Sequence, residues 1–122
     1  MSAVLAGRRI LVVEDEMLVA MSIEDALIEA GGEVIGPAGT VDAALDLLRN
    51  EKDMDAAVLD MNLNGRSGMP IADALSEGSI PFLVLSGYGR AALEKTHGDT
   101  PVLSKPFNNA TLIDVLRRLL GA

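Results

Sequence analysis

Four short apolar runs of the chain each end in polar residues that could take part in phosphate chemistry. The first run ends at Glu14 and Asp15, and the other three end at Asp60, Ser86 and Lys105. Carboxylates, a hydroxyl and an amine are the groups that hold a divalent cation and a phosphoryl group. An ionised aspartate beside such a cation can attack phosphorus and form an aspartyl phosphate. The sequence therefore predicts a site for phosphoryl transfer where these run ends meet.

The acidic residues of this set suit a hard cation such as Mg²⁺. Asp15 and Asp60 can bind it directly, and Glu14 can bind it directly or through water. Close carboxylates raise one another's pKa, whereas a bound cation keeps them ionised. Lys105 and the metal would then neutralise the charge of the transferred group, and Ser86 would donate a hydrogen bond to it.

The elements that must position these residues alternate between strand and helix. The apolar runs are continuous rather than alternating, which is typical of a parallel sheet covered on both faces. Right-handed crossovers place the carboxyl ends of all strands at one edge, so the polar run ends become neighbours. The predicted strands span residues 10–13, 33–37, 56–60, 80–86 and 102–104. The predicted helices lie between them and after 108, with Thr40 and Asn108 as N-caps and 90–95 as a short fourth helix.

Composition limits the class of protein. The chain has 122 residues, the size of one domain, and carries a formal charge of −8 with only three aromatic residues, two Phe and one Tyr. Neither nucleic acid nor an anionic membrane is therefore an expected partner. There is no cysteine, no signal-peptide pattern and no apolar run long enough to cross a bilayer. We expect a cytoplasmic protein.

The combination of Glu14-Asp15, Asp60, Ser86-Gly87 and Lys105-Pro106-Phe107 resembles the receiver domain of two-component response regulators. The resemblance covers essentially the whole chain and implies one receiver domain over 1–122. It implies a flavodoxin-like, doubly wound α/β fold with five parallel strands in the order 2-1-3-4-5, five helices and a cis Lys105–Pro106 bond. It also implies the site roles: Asp60 as phosphoacceptor, Glu14, Asp15, Asp60 and the main-chain carbonyl of Asn62 as Mg²⁺ ligands, and Ser86 and Lys105 as phosphate-sensing residues.

The resemblance also implies a function. Asp60 would accept a phosphoryl group from a sensor histidine kinase or a histidine phosphotransfer protein, and the product would switch contacts with a downstream protein. Such a protein is not an enzyme, since it catalyses only its own phosphorylation and dephosphorylation. Homodimerisation on phosphorylation is a further option. We expect a stand-alone domain, with a fragment of a longer regulator as the alternative.

The chain departs from the family pattern at two places. Leu63-Asn64-Gly65 stands where a Met-Pro pair is common, and Val102 stands where an aromatic switch residue is common. Tyr88, two residues after Ser86, is the candidate replacement switch. The stretch around it is partly similar to the Phe-Ala-Thr-Gly-Tyr type of single-domain regulator from alphaproteobacteria. The expected output surface combines the fourth helix, the fifth strand and the fifth helix.

Two other classes of protein remain as alternatives. A phosphatase of the haloacid dehalogenase type also uses an aspartate nucleophile, Mg²⁺ and a lysine, but it needs a second acid where this chain has Asn62. A pseudo-receiver would bind partners without being phosphorylated. Retention of all five acidic, hydroxyl and amine residues argues against the pseudo-receiver.

Overall fold

The computed structural model describes residues 3–87 and 99–121. Strands and helices alternate along these residues, and a short hairpin follows the third strand. The elements are β1 (Arg9–Val13), α1 (Met17–Glu29), β2 (Glu33–Ala38), α2 (Val41–Asn50), β3 (Ala56–Asp60), β4 (Asn62–Leu63), β5 (Arg66–Ser67), α3 (Met69–Glu77), β6 (Phe82–Ser86), β7 (Val102–Ser104) and α4 (Asn109–Leu119).

The five long strands form one parallel sheet in the order β2-β1-β3-β6-β7. This is the predicted order 2-1-3-4-5, because β6 and β7 are the fourth and fifth strands of the sequence prediction. All residues of β3 and β6 are buried, as expected for strands covered on both faces. The predicted doubly wound, flavodoxin-like fold is confirmed.

Alternate residues of the central strands pack into two apolar layers. Leu11 and Val13 of β1 belong to the layer under α2 and α3, whereas Ile10 and Val12 belong to the layer under α1 and α4. Both layers are aliphatic apart from Phe82 in the first and the partly buried Phe107 at the edge of the second. The sheet is therefore held from both sides, which fixes the positions of its strand ends.

Two of the helices begin at the predicted N-caps. Thr40 Oγ1 accepts a hydrogen bond from Ala43 N at 3.1 Å, and Asn108 Oδ1 accepts one from Thr111 N at 2.8 Å. Each cap satisfies a backbone N–H that the first helical turn leaves without a partner. Four helices lie within the described residues, and the predicted helix 90–95 lies outside them.

The segment predicted as a loop after Asp60 contains a hairpin instead. Asn62 pairs with Ser67 and Leu63 pairs with Arg66, around Asn64 and Gly65. Asn64 and Gly65 both have positive φ, 53° and 86°, as a type I′ turn requires. The Asn-Gly dipeptide is the usual signal for this turn, so the hairpin was readable from the sequence.

The fourth long strand begins later than predicted. It starts at Phe82 rather than at residue 80, because Ile80 N donates a hydrogen bond at 2.9 Å to Leu75 O in the last turn of α3 and not to a neighbouring strand. The Lys105–Pro106 peptide bond is cis, as the family resemblance implied. Among the described residues, no helix has the length and apolar character needed to cross a membrane.

Candidate functional site

The register of the sheet brings the polar strand ends together. Val13 lies beside Leu59 in neighbouring strands, so Glu14 and Asp60, which follow them, lie at the same edge. Asp60 in turn pairs with Leu85, the residue before Ser86. At the outer strand, Ser86 pairs with Ser104, and Lys105 N donates to Ser86 O at 3.0 Å. Polar residues that are 91 positions apart in the sequence, from 14 to 105, thus share one end of the sheet.

Three carboxylates form an acidic cluster at this edge. One oxygen each of Glu14, Asp15 and Asp60 lies within 4.8 Å of the other two. Glu14 and Asp60 are only 3% exposed, whereas Asp15 is half-buried. Glu14 Oε1 is buried and forms an ion pair with Lys105 Nζ at 3.1 Å. Oxygen donors at this spacing fit a hard divalent cation such as Mg²⁺.

Lys105 supplies the positive charge of the site. Its Nζ lies 3.0 Å from Asp60 Oδ2, 3.1 Å from Glu14 Oε1 and 3.2 Å from Glu16 Oε1. Burial lowers the pKa of Lys105, but the contacts with Asp60, Glu14 and Glu16 outweigh burial and raise that pKa above its usual value. The ammonium group is therefore charged at neutral pH.

Glu14 has an unusually high proton affinity for a glutamate. Burial raises the pKa of Glu14 to about 7, and the neighbouring Asp60 carboxylate acts in the same direction. The Glu16 N–H, which donates to Glu14 Oε2 at 3.1 Å, and the Lys105 ammonium oppose the shift. A divalent cation would favour the ionised form of Glu14, since its charge reverses the effect of neighbouring carboxylates.

The Asp60 carboxylate lies at an open depression of about 470 Å³. Asn62 N donates to Asp60 Oδ1 at 3.0 Å, and Lys105 holds Oδ2, so both carboxylate oxygens have fixed positions. The depression is large enough for a small phosphate donor. It is lined by Asp15, Glu16, Asp60, Asn62, Asn64, Gly65, Gly87 and Lys105.

The β4–β5 hairpin forms one wall of the depression. Asn64 N donates to Asp15 Oδ2 at 3.1 Å, which ties the turn to the acidic cluster. The side chain of Asn62 accepts a hydrogen bond from Gly65 N at 2.8 Å, so it stabilises the turn. The hydrogen bond between Asn64 and Asp15 thereby connects the turn after β3 to the end of β1 at the opening of the depression.

The residues assigned to signal output are described only in part. Ser86 is buried at the end of β6. Val102 pairs with Val84 and is half-buried against the apolar layer under α2 and α3. Tyr88 lies outside the described residues, so its role as a switch stays a prediction.

Two residues near Asp60 did not emerge from the sequence as site residues. Glu16 contacts Lys105, and the run Glu14-Asp15-Glu16 was its visible signal. Gly68 lies so close to Asp60 that a Cβ at its position would be 2.8 Å from the Asp60 carbonyl oxygen. Nothing in the sequence indicates this approach, because it depends on how the hairpin returns to the end of β3.

Comparison with known proteins agrees with this geometry. A family model described as the response regulator receiver domain matches residues 10–117. The transcriptional regulatory protein PdtaR of Mycobacterium tuberculosis is 30% identical over 113 residues, which are 89% of this chain and 55% of that protein. The phyllosphere-induced regulator PhyR of Methylorubrum extorquens is 32% identical over 118 residues, which are 91% of this chain and 43% of PhyR.

Solved structures give the same result. The structure of SdrG from Sphingomonas melonis is 38% identical, has a TM-score of 0.79, and the match covers 98% of this chain and 99% of that one. The chain spans about half the length of the curated relatives it matches. None of these similarities points to a phosphatase of the haloacid dehalogenase type. By its sequence, its fold and the matched residues, the chain belongs to the response regulator receiver domain family.

Proposed function

We propose that Asp60 is the phosphoacceptor of this receiver domain. The observation that carries the proposal is the 3.0 Å contact between Asp60 Oδ2 and Lys105 Nζ at the base of an open acidic depression. In the reaction, an oxygen of Asp60 bonds to the phosphorus of a phosphohistidine, and the P–N bond breaks. The histidine nitrogen leaves with the electron pair and takes up a proton. The phosphoryl group then lies beside the Lys105 ammonium, which neutralises part of its charge.

Mg²⁺ is the cation that we assign to the acidic cluster. Asp15, Asp60 and the main-chain carbonyl of Asn62 would bind it directly, and Glu14 would bind it directly or through water. When bound, the cation lowers the electrostatic cost of bringing a phosphate to three carboxylates. The mutual distance of the carboxylate oxygens and the burial of Glu14 and Asp60 support this assignment.

Ser86 and Lys105 are proposed to read the presence of the phosphoryl group. Both lie at strand ends on the side of Asp60 away from β1, and a backbone hydrogen bond joins them. A shift of either residue toward the phosphate would move the other. Val102, which packs on the core three residues before Lys105, and Tyr88 are the proposed links from this pair to the output surface.

The phosphate donor is proposed to dock on the first turns of α1. Met17, Leu18 and Met21 are 74%, 81% and 51% exposed, which is unusual for large apolar side chains. Leu18 also lines a groove of about 520 Å³ that shares Glu16 and Lys105 with the depression at Asp60. A histidine kinase or a histidine phosphotransfer protein must bring its phosphohistidine to this opening. An apolar rim beside the opening suits such a partner.

Signal output is proposed to occur by protein contact. The domain comprises residues 1–122 in this proposal, and its phosphorylation alters binding to a downstream protein or to a second copy of the chain. Because the matched relatives are about twice as long, a receiver within a longer regulator is the alternative. The mass of the native protein in cell extracts separates the two arrangements.

The test is incubation with Mg²⁺ and acetyl phosphate, followed by intact mass measurement. We expect an acid-resistant but base-labile adduct of one phosphoryl group in the wild type and no adduct in Asp60→Asn. Absence of the adduct with acetyl phosphate and with a panel of phosphorylated histidine kinases would instead identify a pseudo-receiver. Rapid turnover of phosphate esters would favour a phosphatase and contradict the proposal.

A further inference from the structure

Lys105 is in contact with three carboxylates before any phosphate arrives. An ammonium group has three N–H donors, and here they face Asp60 Oδ2, Glu14 Oε1 and Glu16 Oε1 at 3.0, 3.1 and 3.2 Å. A phosphoryl group on Asp60 needs at least one of these donors. Phosphorylation turns the Asp60 carboxylate into a neutral acyl group, so the donor that faces Asp60 Oδ2 passes to the phosphoryl group first. A second donor for this doubly charged group has to come from Glu14 or Glu16.

The two glutamates differ greatly in the cost of giving up Lys105. The side chain of Glu14 is 0% exposed, so water cannot replace the lysine there. The side chain of Glu16 is 62% exposed and can be hydrated at once. Of the two, Glu16 loses Lys105 at the lower cost in free energy.

The position of Glu16 in its helix provides a second observation. Glu16 occupies the N-cap of α1, yet its side chain makes no capping hydrogen bond. Thr40 and Asn108, at the N-caps of α2 and α4, do make such bonds. Serine, threonine, aspartate or asparagine would cap α1 better than glutamate does. The carboxylate of Glu16 contacts Lys105 instead of capping the helix.

We propose that Glu16 is a positioning residue that holds Lys105 in the unphosphorylated domain and is displaced from it by the phosphoryl group. The proposal rests on phosphorylation of Asp60. Glu16 lies outside the acidic cluster formed by Glu14, Asp15 and Asp60, and it lines the mouth of the depression. Its charge both occupies the lysine and repels an approaching phosphate. Glu16 thus slows phosphorylation by small donors. It favours a phosphate donor that is docked on the domain.

The proposal is tested by the rate of phosphorylation of Glu16→Gln at low ionic strength. In the reaction with acetyl phosphate, Asp60 forms the O–P bond and acetate leaves with the electrons of the broken P–O bond. We expect the variant to react about three to ten times faster than the wild type, and the gain to shrink as salt is added. The gain should be smaller with phosphoramidate, which carries less net negative charge. The matched control is Glu29→Gln, which removes the same charge from an exposed position at the far end of α1.

The Mg²⁺ affinity of the variant helps to decide the interpretation. Calorimetric titration should show that Glu16→Gln binds Mg²⁺ about two to five times more weakly than the wild type, since it removes one nearby negative charge but no ligand. A tenfold loss of Mg²⁺ affinity would make Glu16 a metal ligand and overturn the proposal. Equal phosphorylation rates in wild type and variant would also overturn it, while leaving Asp60 as phosphoacceptor. If the wild type accepts no phosphate at all, the proposed function itself fails.

Discussion

Lys105 Nζ lies 3.0 Å from Asp60 Oδ2, although the two residues are separated by 45 positions in the sequence. The contact joins the end of β3 to the loop after β7 across the intervening strand β6. It depends on no local motif, because it requires both crossovers that follow β3. The same contact places a positive charge beside two buried carboxylates, Glu14 and Asp60, and so couples the stability of the strand ends to the chemistry of the site.

Replacement of Lys105 should therefore weaken the fold as well as the site. In Lys105→Met, Glu14 and Asp60 remain buried without their cation, and we expect the free energy of unfolding in EDTA to fall by about 2–4 kcal/mol. Urea denaturation measures this change, and Mg²⁺ should restore part of it. The control is Lys52→Met, at an exposed position, which should stay within about 0.5 kcal/mol of the wild type. Equal stability of the two variants would show that the lysine does not support the buried carboxylates.

The raised pKa of Glu14 predicts a pH dependence of stability when no divalent cation is bound. Its pKa is about 7 in the fold and about 4.5 in the unfolded chain, so the folded state binds the proton more tightly. The stabilisation is complete below about pH 4.5 and is lost as the pH rises through about 7.

Glu14→Gln should abolish that dependence. In EDTA, the melting temperature of the wild type should fall relative to that of Glu14→Gln between about pH 5 and about pH 8. Saturating Mg²⁺ should reverse the order at the higher pH, because only the carboxylate helps to hold the cation. A constant difference across this pH range would mean that Glu14 titrates normally in the fold.

We predict that the geometry of Asp60 depends on the absence of a side chain at Gly68. A Cβ at this position would lie 2.8 Å from the Asp60 carbonyl oxygen and 3.3 Å from Met61 Cα, and backbone atoms cannot move aside cheaply. We expect Gly68→Ala to lose about 1–3 kcal/mol of stability and to be phosphorylated more slowly. At Gly39 the nearest atom would be 3.8 Å away, so Gly39→Ala serves as the control. If both variants behave alike in urea denaturation and phosphorylation, the close approach has no consequence.

Because apolar residues of α1 are exposed beside the site, we expect a substitution there to slow transfer from a kinase but not the reaction with a small phosphate donor. Leu18→Ser should reduce the rate of transfer from a phosphorylated histidine kinase about tenfold, since it removes one apolar contact from the docking surface. Its reaction with acetyl phosphate should change by less than about twofold. Ile28→Ser is the control, because Ile28 is also exposed but lies about 15 Å further along the helix. Equal rates of transfer from the kinase to the two variants would show that the kinase docks on another surface.

Much of the fold and site was predictable because both depend on strand ends. Continuous apolar runs predicted the buried parallel strands, and the polar residue after each run predicted what gathers at the edge. The caps Thr40 and Asn108 were predictable because capping is local. The turn at Asn64-Gly65 also had a local signal in the sequence. The strands beside it were harder to predict, because they have only two residues each and no apolar alternation.

The remaining features could not be predicted because they arise between distant residues. The contact of Glu16 with Lys105 spans 89 positions, and the raised pKa of Glu14 depends on burial that only the assembled sheet provides. The approach of Gly68 to Asp60 depends on the path of the chain through the hairpin. The role of Tyr88 stays a prediction, since it lies outside the described residues.

The central claim is that Asp60 alone carries the phosphoryl group, and chemical mapping of the phosphate tests it most directly. After treatment with acetyl phosphate and Mg²⁺, borohydride reduces an aspartyl phosphate to homoserine, which peptide mass spectrometry locates in the sequence. We predict homoserine at position 60 only, and none in Asp60→Asn or in the presence of EDTA. Homoserine at Asp15 or at any other acidic residue, or label retained in Asp60→Asn, would contradict the account.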